Sequence, residues 1–241
     1  MAVCVSLQGL ADYAEVHAAQ EGLVEARFAG AVPDTVLLLE HPTTITVGRA
    51  QEALANVLNA GEFPVVSIKR GGDVTLHGPG QLVAYPIIAL TEDRRDLRGH
   101  LRALEDAGIG LCHELGLTAL RDERNTGVWL AMQGGSPRKV MSTGIACRRW
   151  VTWHGLALNV DIDLALFRRI NPCGFGSSVM TRLADHLDAV PSVASLHAPL
   201  SRHLLQALQL STAPPEQTDT VLTWLRTHHP SLLAEPVLEA S

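Results

Sequence analysis

From residue 126 to 162 the chain runs TGVWLAM, KVMSTGIACRRW and VTWHGLALNVDI, with only QGGSPR (133–138) as a break. Apolar residues alternating with small or polar ones predict three consecutive strands, and the glycine- and proline-bearing break predicts a turn between the first two. A chain that commits its middle to adjacent strands must build a sheet and then cover it. More strands precede this block: TVLLLE (35–40), TTITVG (43–48), FPVVSIKR (63–70) and QLVAYPIIAL (81–90). Proline has no N–H for a ladder, so Pro86 marks the last of these as an edge or bulged strand. Helical spacing of leucine, alanine and valine over 10–29, and of Leu97, Leu101, Leu104, Ile109, Leu111 and Leu115 over 97–116, predicts covering helices. LALFRRI (164–170) predicts a short helix that stops before Pro172, and 190–241 predicts two helices joined by STAPPEQT. The expectation is an α+β fold with a mixed β-sheet core and flanking helices. Strands and motifs interleave too closely for a boundary, which predicts a single domain over 1–241.

Composition narrows the function classes. The chain has 241 residues, 46% of them apolar, enough for a full core and too apolar for a disordered protein. No run reaches the ~20 apolar residues of a membrane span. Its start, MAVCVSLQGLADYAEVH, lacks a basic leader and carries Asp12 and Glu15 early. Those features predict a cytoplasmic protein with reduced thiols and no membrane partner. A net charge of −6 weighs against nucleic acid. That charge is uneven: residues 61–170 carry fourteen basic side chains against twelve acidic ones, including Arg94, Arg95, Arg98, Arg102, Arg148 and Arg149. Such a face suits an acidic partner.

Three constellations carry candidate chemistry. RGGDVTLHGPGQ (70–81) sets glycines between two strands, where backbone N–H groups can face a ligand with no Cβ in the way. It fits neither the phosphate loop, since no Lys-Ser/Thr follows Gly80, nor GxGxxG, since the following residues alternate as a strand. As a plain hairpin it would need no ligand at all. Lys139 is one of two lysines, with Lys69, among nineteen basic residues. An amine chosen in so arginine-rich a chain points to a group that must lose its proton, which guanidinium cannot do. Cys173 lies in INPCGFG, after a proline-stopped helix and before Gly174, unlike Cys4, Cys112 and Cys147, which sit in packing positions or near a terminus. A thiol there becomes a nucleophile if a cation lowers its pKa from ~8.5. No metal site is expected, because Cys and His do not fall at zinc-ligand spacing.

Taken together, EHPTTITVGR (40–49), RGGDVTLHGPGQLVAYP (70–86), KVMSTGIACRRWVTWHGLALNV (139–160) and DLALFRRINPCG (163–174) resemble the lipoyl(octanoyl) transferase family of lipoate biosynthesis, in the family's order, over a core of about 35–185. The resemblance implies a fold related to the biotin/lipoate protein ligase fold. It implies octanoyl transfer from the phosphopantetheine of acyl carrier protein to a lysine of lipoyl domains, those of 2-oxoacid dehydrogenase E2 subunits and the glycine cleavage H protein. No other cofactor is implied. Carried over by position, Cys173 forms an acyl thioester and Lys139 serves it as a Cys/Lys dyad. Arg70, Gly71, Gly72, Asp73, Val74, Thr75, Leu76 and His77 would line the substrate with Ser142, Thr143, Gly144, Gly155, Leu156 and Ala157, and His154 would support them. Thr43 and Thr44 stand where that family tends to carry bulkier residues and Thr143 where it often has an apolar one, which bears on pocket shape. Two other readings share the sequence: an ATP-dependent lipoate or biotin protein ligase, and a non-catalytic acyl-carrier-binding module.

Overall fold

The computed structural model describes residues 2–122, 125–172, 176–211 and 215–229. Among these described residues, eleven strands and four helices follow in the order β1 (Ala2–Leu10), α1 (Tyr13–Phe28), β2 (Asp34–Glu40), β3 (Thr44–Val47), β4 (Val65–Ser67), β5 (Val74–His77), β6 (Gln81–Ala89), α2 (Leu97–Glu114), β7 (Ala119–Asp122), β8 (Asn125–Met132), β9 (Gly135–Arg148), β10 (Val151–Asn159), α3 (His197–Ala207), β11 (Glu216–Thr218) and α4 (Val221–His228). Eight strands form one mixed sheet in the order β11-β1-β2-β6-β10-β9-β8-β7, parallel from β11 to β2 and antiparallel thereafter. The other three form a small sheet, β4-β3-β5.

Each face of the large sheet buries its own core. Val5, Leu37, Leu39, Val83, Ile87 and Trp153 pack against Leu23 and Val24 of α1 and Trp224 and Leu225 of α4. On the opposite face Val36, Leu38, Leu82, Val140, Met141 and Leu158 meet Leu104 and Leu111 of α2 and Leu200 and Leu204 of α3. A third cluster, around Ile45, Leu76, Phe167 and Ile170, fixes the small sheet to the 3-10 turn at Leu164–Arg169. Both long helices start where an aspartate accepts from the first turn: Asp12 Oδ1 from Glu15 N and Asp96 Oδ1 from Arg98 N, each at 2.9 Å.

Three expectations need correction. QLVAYPIIAL is central, not an edge: β6 lies between β2 and β10. The missing N–H of Pro86 shows instead as a gap in the β6–β10 ladder, which skips from Thr152↔Ile88 to Leu156↔Ala84. Opposite that gap His154 takes a left-handed φ of 57°. The second correction concerns the linker STAPPEQT, part of which is a strand, β11, paired in parallel with β1. Finally, RGGDVTLHGPGQ is not all loop, since Val74–His77 form β5 on the edge of the small sheet.

Candidate active site

The two sheets meet at a cavity of about 240 Å³. Most of its wall comes from the Arg70–Thr75 approach to β5, the middle of β9 with the facing part of β10, and the start of β8, with Tyr13, His77, Tyr85 and Pro172 contributing from other segments. The β8–β9 ladder ends at Val128↔Met141, so beyond it Ser142–Gly144 keep β10 on one edge and present the other to the cavity. The glycine loop covers that open edge. Gly71 N donates to Ile145 O at 2.8 Å, and a Cβ on Gly144 would come within 3.2 Å of Gly71 O. The loop is laced to the end of β3 by Gly48 N to Asp73 O at 3.2 Å and Ala50 N to Gly72 O at 3.0 Å.

The sequence-derived residues divide as follows. Arg70, Gly72, Asp73, Val74, Thr75, His77, Lys139, Ser142, Thr143, Gly144, His154, Gly155, Leu156 and Ala157 all line the cavity. Gly71 does not; it borders a groove on the far side of its loop, with Ile145 and Cys147. Leu76 does not either, being fully buried in the core of the small sheet because β5 alternates its side chains. Gly78 and Gly80 belong to the turn into β6, where Gly80 (φ 83°) lies against Asp161 and Ile162. Half of the glycine stretch is therefore turn geometry and half is cavity wall. Cys173 and Gly174 lie outside the described residues; Pro172, the residue before them, lines the cavity.

Lys139 is 4% exposed. Its Nζ donates to Asn125 Oδ1 at 2.6 Å and lies 5.7 Å from the Trp129 ring centroid. Its backbone is pinned to the later chain by Thr181 N to Lys139 O at 2.9 Å. Gly127 makes room for it: a Cβ there would lie 2.7 Å from Lys139 Cε and 2.3 Å from Met141 O. Arg70, 9% exposed, bonds Gly71 O at 3.1 Å and Thr46 O at 3.3 Å, which places a second cation on the wall.

The deep wall is aromatic. Tyr13 of α1 packs on His41 and His77 with ring centroids 5.0 and 5.8 Å apart, and His154 stacks on Trp153 at 4.3 Å. His77 Nδ1 pairs with Gln81 Oε1 at 2.9 Å, and His41 Nε2 with Tyr85 Oη at 3.0 Å. Burial, reinforced for His77 by His41 and for His154 by His17, lowers both to about 3, and burial lowers His41 to about 4. These imidazoles are neutral at pH 7, so the charged side-chain types on the wall are Lys139, Arg70 and Asp73. Burial pushes Cys4 and Cys112 up to about 12, which makes both poor nucleophiles.

Sequence reasoning missed Asn125, Tyr13 and Tyr85, which also line the cavity. Asn125 had a local signal, a polar residue two positions before a strand-opening glycine. Tyr13 and Tyr85 had none, because each looks like any aromatic on a buried face.

Residues 12–205 match the lipoyl protein ligase A/B catalytic domain family. A protein of Syntrophotalea carbinolica named octanoyltransferase is 44% identical over 213 residues, 88% of this chain and 97% of its own. Among solved structures, a putative lipoate protein ligase of T. acidophilum superposes with a TM-score of 0.70 at 16% identity, covering 97% of this chain and 95% of its own. A lipoate-protein ligase A bound with ATP superposes with a TM-score of 0.66 at 15% identity, covering 90% and 89%. At such identities the two structures speak for the fold alone.

Proposed function

The chain belongs to the lipoyl protein ligase A/B catalytic family and, within it, to the octanoyltransferases, and on that premise we propose that it moves an octanoyl group from acyl carrier protein to a lysine of lipoyl domains through a thioester on Cys173. The observation that carries this reading is the buried Lys139 on a cavity whose wall also includes Pro172, the residue that precedes Cys173 in the chain. An amine held in such a place can stabilise a thiolate as ammonium and accept a proton once neutral.

The reaction divides into two transfers. In the first, the Cys173 thiolate attacks the carrier-bound thioester carbonyl, and the departing carrier sulfur takes a proton from Lys139 Nζ. In the second, Lys139, now neutral, accepts the proton of the incoming lysine amine as that amine displaces the Cys173 sulfur. The thioester supplies the driving force, so the cycle calls for no ATP. The octanoyl chain runs beside Ser142–Gly144 and the facing residues Gly155–Ala157, with Val74 and Ile68 closing the apolar side. Seven carbons beyond the carbonyl, at ~0.8 kcal/mol each, contribute about 5 kcal/mol on burial, enough to anchor a chain with no polar handle. Selection between neighbouring lengths is then worth only ~1–3 kcal/mol.

Intact-mass measurement after incubation with octanoyl-acyl carrier protein tests the reading. An octanoyl adduct is expected on the wild type and none on Cys173→Ser. A wild type that stays unmodified, or that lipoylates its acceptor only from free octanoate with Mg-ATP, rules the transferase out.

A further inference from the structure

Both transfers pass through a tetrahedral oxyanion, and the negative oxygen requires preorganised donors. Donors suggested by the sequence are partly committed elsewhere. Gly71 N–H is used on Ile145 O, and the ladder with β10 occupies one edge of Ser142–Gly144. Asn125 is placed differently. It lines the cavity, its Oδ1 lies 2.6 Å from Lys139 Nζ, and its own carbonyl accepts from Trp129 Nε1 at 3.2 Å. An ammonium carries only donors, so the amide atom facing Nζ is the oxygen, and Nδ2 is directed away from it. Among the described residues nothing accepts a hydrogen bond from Nδ2. The strand start that carries it is also held firmly. Gly127 N donates to Glu105 Oε1 at 2.7 Å, and Glu105, 5% exposed, is fixed in turn by Arg121 Nε at 2.8 Å.

We propose that Asn125 is a catalytic residue of the acyl transfer: its Nδ2–H donates to the acyl carbonyl oxygen as charge builds there, while its Oδ1 holds Lys139 Nζ beside the same carbon. The inference rests on the acyl-transfer reading above. In each half-reaction the nucleophile's lone pair forms the new bond to carbon and the C=O π pair moves onto oxygen, which accepts a hydrogen bond from Asn125 Nδ2–H. That pair returns as the bond to the departing sulfur breaks. The sulfur takes a proton from Lys139 in the first half, and Lys139 takes one from the acceptor amine in the second. One amide thus serves both halves, because the same oxygen carries the charge in each.

Steady-state transfer from octanoyl-acyl carrier protein to a lipoyl domain, run over a pH series, tests this with Asn125→Ala and Asn125→Asp. Aspartate keeps an acceptor for Lys139 but has no N–H to give. Both variants are expected to lose about 10²–10³-fold in kcat with KM for the carrier unchanged within about 3-fold, the loss typical of one oxyanion donor. The Asn125→Ala loss should persist through the whole pH series, alkaline pH included, even where the lost acceptor for Lys139 moves the midpoint. An Asn125→Asp variant of near wild-type kcat, or an Asn125→Ala defect that shifts the pH midpoint and disappears at alkaline pH, overturns the proposal, since Asn125 would then act only through Lys139. Thermal melting identifies an alanine variant that fails to fold, in which case the near-isosteric aspartate decides. A wild type that transfers while both variants lose less than 10-fold overturns this inference alone. A wild type that transfers nothing overturns the reading beneath it as well.

Discussion

Gly127 sets the environment of Lys139, the lysine that carries the proton transfers in the proposed reaction. Its φ of 125° is open to glycine and strained for other residues, and a Cβ there meets both Met141 O and the Lys139 side chain. Neither neighbour yields easily, one being strand backbone and the other a 4%-exposed side chain. Gly127→Ala is therefore expected to lower stability by about 2–4 kcal/mol, from left-handed strain plus a backbone clash, as read by urea denaturation. Transfer activity should fall further than the folded fraction does, because Lys139 Cε must move. Unchanged activity in the folded fraction would show that Lys139 tolerates displacement. Sequence alone made Lys139 conspicuous by scarcity, but that Asn125, fourteen positions earlier, is its partner became visible only when β8 and β9 paired.

At the scale of elements, the helices were legible and the sheet was only partly so. α1 and α2 repeat apolar residues at helical spacing and open on capping aspartates, all of it local information. Asp12 also decides where α1 delivers Tyr13, the first residue of the helix, to the cavity. Asp12→Ala is expected to cost about 1 kcal/mol, the usual worth of such a cap, with transfer retained; a thermal melt alongside the transfer assay checks both. β11 could not be read, because Glu216–Thr218 is a three-residue polar edge whose only claim to be a strand is β1 beside it. Pro86 misled for a related reason. A proline argues for an edge, yet β10 accommodates it centrally by interrupting the ladder at His154 and Gly155.

At the scale of the whole molecule, burial of histidine makes folding sensitive to acid. His41 and His100 are lowered to about 4 and His77 and His154 to about 3, in each case chiefly by burial. In the unfolded chain the same side chains take up protons below about 6.5. The folded state resists those protons, so the unfolded state binds more of them as pH falls from 6.5 towards 4, and stability drops over that window. Chemical denaturation is expected to show near-constant stability from these groups above pH 7 and a progressive loss below 6.5. His77→Gln should shallow that acid slope; an unchanged slope would place the acid sensitivity elsewhere.

Local pattern and residue choice in the sequence determined the α+β class, the two long helices, the strands of the central block and the prominence of Lys139 and Cys173. Each of these depends on neighbours a few positions away or on rarity within the chain. Tertiary structure alone decided the strand order, the central place of β6, the division of the glycine stretch into turn and cavity wall, and the placing of Tyr13, Tyr85 and Asn125 beside the candidate acyl site. Those outcomes follow from pairing and packing between distant segments, where the favourable contact is made by whichever surfaces exclude water together, and no single stretch of sequence contains both surfaces.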